Sequence, residues 1–419
     1  MSLVKRLLTH YALIGFGQGL LLCVLTLFMI EKGLALWQVG VAFGAFGLTA
    51  VIMELPLGAT ADLRGRIRVY RWSLMVSVVA LVIAITVSHF IWILLAMSLM
   101  GFSRALESGS VSAWEIEQIR HHGMADKTAT LIGQFQATNA LGIALGALCG
   151  GYVPQLMAGT LTWLTPATNN LVIVLALTLI HILLLPWLFK EGDVIVASDE
   201  RPTLKSQITV AVQHGLKHRA IRPLLLAGFL FGMVLSNLEA YWQPFVKTLA
   251  PDQKYDIFGW IATGYFFSAA AGPALFSTLV ERIKVSPETM ITIIFAAVAP
   301  VLYALGSSQT LWSFALLYFL FMGVMACVNI PVTVLLNEHT EDRIRSTMQS
   351  VMSLVLQGGG ACAAFALAPV IQHWGIGTIW HGLAVTLLSL AIFRLVQGIL
   401  PKLGRGFVSS LFKRTVKRT

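Results

Sequence analysis

Glu54-Leu-Pro-Leu-Gly58-Ala-Thr-Ala-Asp62-Leu-Arg64-Gly65-Arg66-Ile-Arg68-Val-Tyr-Arg71 is the stretch whose reading decides the fold. Long apolar runs flank it on both sides, which makes it a short basic connection between two membrane-crossing helices. Gly58 and Gly65 allow a tight turn and close backbone approach. Asp62 falls at the end of the first helix, with Arg64, Arg66, Arg68 and Arg71 within reach. A solvated basic loop on the inner side of a membrane accounts for the arginines by itself. It does not account for an acid placed four residues after one glycine and three before another.

The rest of the chain fits a membrane. Of its 419 residues, 57% are hydrophobic and 11% charged, and the mean hydropathy is +0.79. That is the composition of a polytopic membrane protein. A helix needs about 20 apolar residues to cross hydrocarbon. Twelve spans are expected, at 8–30, 38–58, 70–89, 90–114, 128–152, 168–189, 221–246, 256–279, 287–306, 310–336, 347–371 and 378–399. Lys5-Arg6 ahead of an apolar run imitates a secretion signal, but the run continues to about Ile30 without a clear cleavage site, so it reads as the first span.

The net charge is +10. Alternating the loops between two sides puts nearly all Lys and Arg on the side of Asp62. Only Lys32, Lys247 and Lys254 fall opposite, and Arg104 lies inside a span. The bias reports topology with both termini cytoplasmic, not a nucleic-acid partner. Cys23, Cys149, Cys327 and Cys362 sit far apart in apolar runs, so no metal, disulfide or cofactor is expected. No phosphate loop, metalloprotease or nucleophile-elbow motif suggests an enzyme.

The longest polar interruption splits the chain into a first bundle (1–189), a linker (190–220), a second bundle (221–400) and a basic tail (401–419). In the linker Leu204, Ile208, Val212 and Leu216 recur at helical spacing, suggesting an amphipathic helix on the membrane surface. The tail alternates apolar and basic clusters that suit anionic lipid headgroups, or a disordered basic end. Glycine follows a period of three spans. The third and sixth spans have none, the ninth ends on Gly306 and the twelfth has only Gly382, whereas the second, fifth, eighth and eleventh are rich in Gly and Ala. Small residues let membrane helices approach closely. The period therefore separates lipid-facing helices from packed ones, as in carriers built from nested three-helix repeats.

Buried polar groups are the candidates for chemistry. Arg104 and Glu107 share a helix face with Ser108, Val111 and Glu115, either as a structural ion pair or as a site where Glu107 exchanges Arg104 for a proton or cation. Ser236, Glu239 and Gln243 share another, beside Tyr241, Trp242 and Pro244, and Glu239 has no basic partner within a turn. Gln18, Gln134, Asn139, Asn329 and the stripe Gln349–Ser353–Gln357 are candidates to line the same cavity, although any one of them equally serves as an interhelical contact. His181 and His381 read as structural. Glu54, one turn before Gly58, fits proton binding or a structural contact between the halves.

Residues Gly58-Ala-Thr-Ala-Asp62-Leu-Arg64-Gly65-Arg66 resemble the loop between helices 2 and 3 of the major facilitator superfamily, Gly-x-x-x-Asp-(Arg/Lys)-x-Gly-Arg-(Arg/Lys). Leu63 departs from it, with Arg64 next door. Ser277 to Lys284 is a worn copy in the second half. Arg104-Ala-Leu-Glu107-Ser108-Gly109 is similar to the family's Arg-x-x-Gln-Gly, with Glu for Gln and a shifted glycine. Gly133, Gly142, Gly146, Ala147, Gly150 and Gly151 resemble its antiporter motif, Gly-x8-Gly-x3-Gly-Pro-x2-Gly-Gly, with Ala147 in place of proline. Glu54-Leu-Pro-Leu-Gly58 is similar to a Glu-x-Pro-x-Gly variant of bacterial drug exporters.

The resemblance implies an all-α protein of twelve transmembrane helices in two pseudo-symmetric six-helix bundles, in a bacterial inner membrane. It implies a monomeric secondary transporter that exports small amphipathic compounds against protons. A proton-coupled uptake symporter for a metabolite, and a lipid flippase or non-transporting sensor, are the alternatives. Gly58, Asp62, Arg64, Gly65, Arg66 and Arg68 would form a conformational latch, with Arg66 or Arg68 pairing Glu115.

Overall fold

The computed structural model describes residues 2–108, 110–160, 163–189, 218, 221–280, 285–340 and 345–415, without the side chains of 55, 56, 58–63, 279, 280, 345–347 and 397–415. The expected linker helix and the acid–base pair Glu281-Arg282 lie outside these residues. The elements are α1 (Leu3–Leu22), α2 (Leu25–Glu31), α3 (Leu36–Arg64), α4 (Arg66–Thr86), α5 (Phe90–Ser108), α6 (Val111–His121), α7 (Thr128–Leu156) and α8 (Thr168–Leu188). They continue with α9 (Ile221–Leu249), α10 (Asp256–Val280), α11 (Pro287–Gly306), α12 (Leu311–Ala326), α13 (Asn329–Glu338), α14 (Arg345–Trp374) and α15 (Ile376–Thr415). Among the described residues there is no strand. A lipid-exposed backbone must satisfy its own polar groups, and helices do so within one segment.

Ten of these segments are long and apolar enough to cross a membrane, eleven when α1 and α2 count as one bent span. The eighth expected span is α10, 25 residues long but diluted by Gly, Ala and Ser. Hydroxyl caps start several helices: Ser2 accepts from the Lys5 amide at 3.4 Å, and Thr310 from the Ser313 amide at 3.2 Å. Single glycines join two pairs of helices. Gly65 (φ 91°) separates α3 from α4 and Gly375 (φ 81°) separates α14 from α15, in a region that other residues rarely adopt. The connection between the second and third spans is thus one residue, not a loop.

Three expected spans are interrupted. The fourth divides into α5 and α6, and the tenth into α12 and α13. The first breaks after Leu22 and bends by 42°. A side chain from α9 occupies that break, which is a recognised cause of kinks.

The chain clusters into two compact units, Met1–Phe267 with His339–Ile376, and Ser268–Glu338 with Gly377–Thr419. In the first unit, backbones meet at glycine. A side-chain carbon on Gly146 of α7 would fall on the Phe16 backbone of α1, and one on Gly19 of α1 on the Ile143 and Ala147 backbone. Gly232 of α9 abuts the Leu356 backbone of α14, and Gly359 abuts Phe229 in return. Gly101 of α5 abuts the Phe46 backbone of α3. In the second unit, Gly272 of α10 abuts Gly323 of α12. Spans 1 and 5 are therefore joined as spans 7 and 11 are, and spans 2 and 4 as spans 8 and 10. The glycine-poor helices expose large apolar side chains, such as Val79 on α4, Leu183 on α8, Ile293 on α11 and Phe393 on α15, and so do glycine-rich ones, at Leu141 and Leu145 on α7 and at Phe267 and Leu275 on α10. Such surface suits hydrocarbon on both kinds of helix, so the three-span period does not by itself sort exposed helices from packed ones.

Candidate functional site

Arg104 on α5 and Glu239 on α9 are both exposed, although each lies within a membrane-length apolar helix. Arg104 is within electrostatic reach of both Glu107 and Glu239. The Tyr265 hydroxyl of α10 donates to Glu239 Oε1 at 3.0 Å. Sequence reasoning missed Tyr265, because its partner is 26 residues away on the next helix. The Arg104 cation therefore lies near two carboxylates from different halves of the sequence, rather than Glu107 alone, with no ion pair closed to either among the described residues. One guanidinium has donors enough for both, and a proton or cation arriving at either carboxylate competes with it.

A second carboxylate spans the same pair of sequence halves. Gln357 of α14 donates to Glu54 Oε2 of α3 at 3.3 Å and to Ser353 at 3.1 Å. Gln134 is exposed, whereas Gln18, Asn139 and Ser236 are partly so; Asn329 is exposed at the start of α13 in the second unit. Ser236 lies against Gly360.

Three candidates from the seventh span serve packing instead. Gln243 is buried; its Oε1 accepts from the Thr26 and Leu27 amides, both at 3.1 Å, and its Nε2 donates to the Leu22 carbonyl at 2.7 Å. These are the backbone groups orphaned by the α1–α2 break. Thr26 Oγ1 donates to the Ala240 carbonyl at 3.0 Å, completing the clamp. The Tyr241 hydroxyl donates to the Leu36 carbonyl at 3.3 Å, and Trp242 is buried near Phe258. Neighbouring contacts close the same end. Glu31 accepts from the Tyr255 hydroxyl and, at 3.0 Å, from the Ala167 amide; Gln155 donates to Asp256 at 3.3 Å. Burial, and then the bond to Glu31, push the Tyr255 phenol up from its ordinary value. Lys32 donates to the Ile85 carbonyl at 2.7 Å, and burial pulls its ammonium down. No local pattern in the sequence marks Glu31 or Tyr255.

At the opposite end, Arg66 pairs with Glu117 at 3.0 Å, and Arg64 lies over the Trp72 ring at 5.6 Å. The expected partner, Glu115, is buried and accepts from the Tyr11 hydroxyl at 2.7 Å. The competing factor is reach: Glu115 faces the helix core, and Glu117 faces outward. Arg68 is exposed, and the side chains at Gly58 and Asp62 lie outside the description. The α7 glycines divide their work. Gly142, Gly146 and Gly150 receive α1, Gly151 and Ala147 meet Gly259 of α10, and Gly133 has open space around it. The motif thus packs mainly within its own half and meets α10 through Gly151 and Ala147, with Thr263 donating to the Ala144 carbonyl at 3.1 Å.

The Major Facilitator Superfamily matches residues 7–364. No curated protein matches the sequence. Among solved structures, nucleoside transporter NupG is 17% identical with a TM-score of 0.79, covering 94% of this chain and 99% of that one. A bacterial homologue of the human lysosomal transporter Spinster, inward-facing and unoccupied, is 15% identical with a TM-score of 0.69, covering 94% of each chain. A bacterial homologue of the human drug peptide transporters PepT1 and PepT2 is 10% identical, at a TM-score of 0.65, covering 96% and 99%. At these identities the likeness is one of fold.

Proposed function

Because the chain belongs to the Major Facilitator Superfamily, and so is a multi-pass membrane transporter of small molecules, we propose that it exports small amphipathic compounds in exchange for protons. The observation that carries this reading is Glu239, an exposed residue in the middle of an apolar helix whose carboxylate accepts from Tyr265 and lies within electrostatic reach of Arg104. Charge in hydrocarbon is expensive, and it is retained where an ion must bind and leave. Glu107, on the other half, lies within electrostatic reach of the same guanidinium. A proton on one carboxylate frees Arg104 for the other, and a cationic compound can take the vacated charge. The antiporter-like glycines of α7 favour export.

The remaining assignments follow the charge bias. Both termini face the cytoplasm of a bacterial cell, so the Gln243 clamp closes the outer end. The Asp62 stretch latches the inner end when that end is shut. The protein works as a monomer with six-span halves at 1–189 and 221–400.

The test is ethidium transport in inverted vesicles with an imposed pH gradient. Acid-interior vesicles should accumulate the dye. Glu107→Gln should abolish the gradient-driven part while keeping some dye binding, and Glu239→Gln should mainly alter the preference for cationic over neutral dyes. Accumulation that ignores the gradient in the unaltered protein would overturn proton exchange, and movement only in the opposite direction would favour uptake.

A further inference from the structure

Away from Arg104 and Glu239, the first unit buries a second polar cluster. His10 of α1 and His181 of α8 are 1% and 3% exposed, and His10 Nδ1 lies 3.2 Å from His181 Nε2. One ring donates and the other accepts. Four aromatic rings enclose the pair: Phe189, Tyr11 and Tyr70 have centroids 4.8, 5.1 and 5.5 Å from His10, and Tyr70 is 5.8 Å from His181. Trp114 closes the box against Phe189 at 5.0 Å. Beyond them is an apolar core of Leu3, Leu7, Ile67, Leu131, Leu185 and Leu188.

Packing alone does not call for this arrangement. Two buried imidazoles cost desolvation that an apolar pair of the same size would avoid. The Tyr70 hydroxyl is also buried without a hydrogen-bond partner among the described residues, and so bears its desolvation without compensation. These costs are recovered if the cluster takes up a ligand that needs nitrogen lone pairs and tolerates a dry box. The smallest such ligand is a proton. An added charge meets suitable surroundings: aromatic rings attract a cation, and carboxylates stand behind them.

The facing charged and titratable groups come from every neighbouring helix. On α1 they are Tyr11 and, one turn earlier, Arg6, whose Nε and Nη1 are buried without partners among the described residues. Tyr70 is on α4. Glu107 on α5 lies within electrostatic reach of both tyrosines. Glu115 on α6 accepts from Tyr11 at 2.7 Å. On α7 the facing group is the uncharged Phe135 ring, stacked on Tyr11 at 5.6 Å. On α8 there is no titratable residue besides His181.

We propose that His10 and His181 form a proton-binding site, in which one proton from solvent is held between the two imidazoles and balanced by Glu115 through Tyr11, and by Glu107. No other bond is made or broken. In this conformation the pair is shut from water, so loading requires the conformation in which water reaches it. Its use in transport rests on the proton-exchange reading above, whereas its existence does not.

The experiment is NMR of the full chain in detergent with ¹⁵N-labelled histidine, titrated from about pH 4 to about pH 9, a range spanning the ordinary imidazole value. Two of the ten imidazoles should titrate together with a single midpoint and bind one proton per chain. His181→Gln should remove that joint step and move the His10 midpoint by about one pH unit or more, a tenfold change in proton affinity. His181→Asn serves if the first variant misfolds. Two imidazoles that stay neutral throughout, or titrate independently, would overturn the site, and the unaltered protein alone can give that result. Loss of pH-driven ethidium movement with the joint titration intact would instead overturn the exchange reading and leave the site standing.

Discussion

The first span is held in two different ways along its length. From Leu3 to Leu22 it lies against α7 with backbone on backbone, at Gly15, Gly19, Gly142 and Gly146, where no side chain intervenes. From Leu25 to Glu31 it is held to α9 by the tips of side chains, Gln243 above all, and to the start of α10 by Glu31 and Tyr255. A similar contrast divides α3, where Gly101 of α5 abuts the Phe46 backbone, while Gly40 and Gly44 meet only the Tyr241 hydroxyl, the Phe365 ring and neighbouring alanines of α14. Close backbone contact gives dispersion that nothing replaces once it is lost. Hydrogen bonds at side-chain tips can be exchanged for water at a net cost of about 1 kcal/mol each. Along the first span the backbone contacts join helices within one half of the sequence and the exchangeable ones reach across the halves, whereas α7 meets α10 across the halves with backbone on backbone, at Gly151 and Gly259. A transporter whose halves rock against each other can part the exchangeable contacts at the lower cost.

The sharpest way to break the comparison is Gly146→Leu. Its side chain has the Phe16 backbone in its place, and overpacking of that kind costs about 3 kcal/mol or more. Monodisperse protein should be lost on size exclusion, whereas Gly133→Ala, with open space around it, should elute as the unaltered protein does. A well-folded Gly146→Leu protein would mean that the α1–α7 contact also opens. Gln243→Leu should be milder. The protein should fold, and a cysteine in place of buried Leu25 should react on the order of tenfold faster with a membrane-impermeant maleimide, equivalent to about 1.4 kcal/mol. An unchanged rate would make the clamp passive.

The smallest effect concerns Tyr255. Its phenol is raised above the ordinary value by burial and by Glu31, so the closed state favours the protonated form. The contribution is complete below about pH 10, the value of a free phenol, and declines as the pH rises above it, because the open form loses its proton first. The reaction of the same cysteine should therefore quicken in alkali. Tyr255→Phe should remove that dependence while costing about 1 kcal/mol at neutral pH.

The sequence made the spans legible because hydropathy and small-residue spacing are local properties. Gly146 and Gly232 lie where the backbones of neighbouring helices touch, but large apolar side chains are exposed on glycine-rich and glycine-poor helices alike, Leu141 and Leu183 among them. The α1–α2 break was not legible. Neither proline nor glycine marks Cys23 and Val24, and the cause is a glutamine more than 200 residues away. Gln243 and Tyr241 read as cavity residues because a polar side chain in a span looks the same whether it binds cargo or a neighbour's backbone. Glu115 was matched to an arginine by charge, and its partner is a tyrosine. His181 reads as structural in the sequence because His10, the ring beside it, is 171 positions away. Single carboxylates such as Glu239 are visible in the sequence; that Glu107 and Glu239 both lie within electrostatic reach of Arg104 required the fold.

The break in the first span has one further consequence. When Gln243 withdraws, the Thr26 and Leu27 amides and the Leu22 carbonyl lose their partners at the edge of a hydrocarbon layer. An unsatisfied backbone group there costs several kcal/mol, so something must follow the glutamine out and take its place. Water is the available substitute, and each opening of this end must draw molecules in from the bulk. The equilibrium between closed and open therefore depends on osmotic pressure: a solute too large to enter the gap holds this end shut without touching the protein.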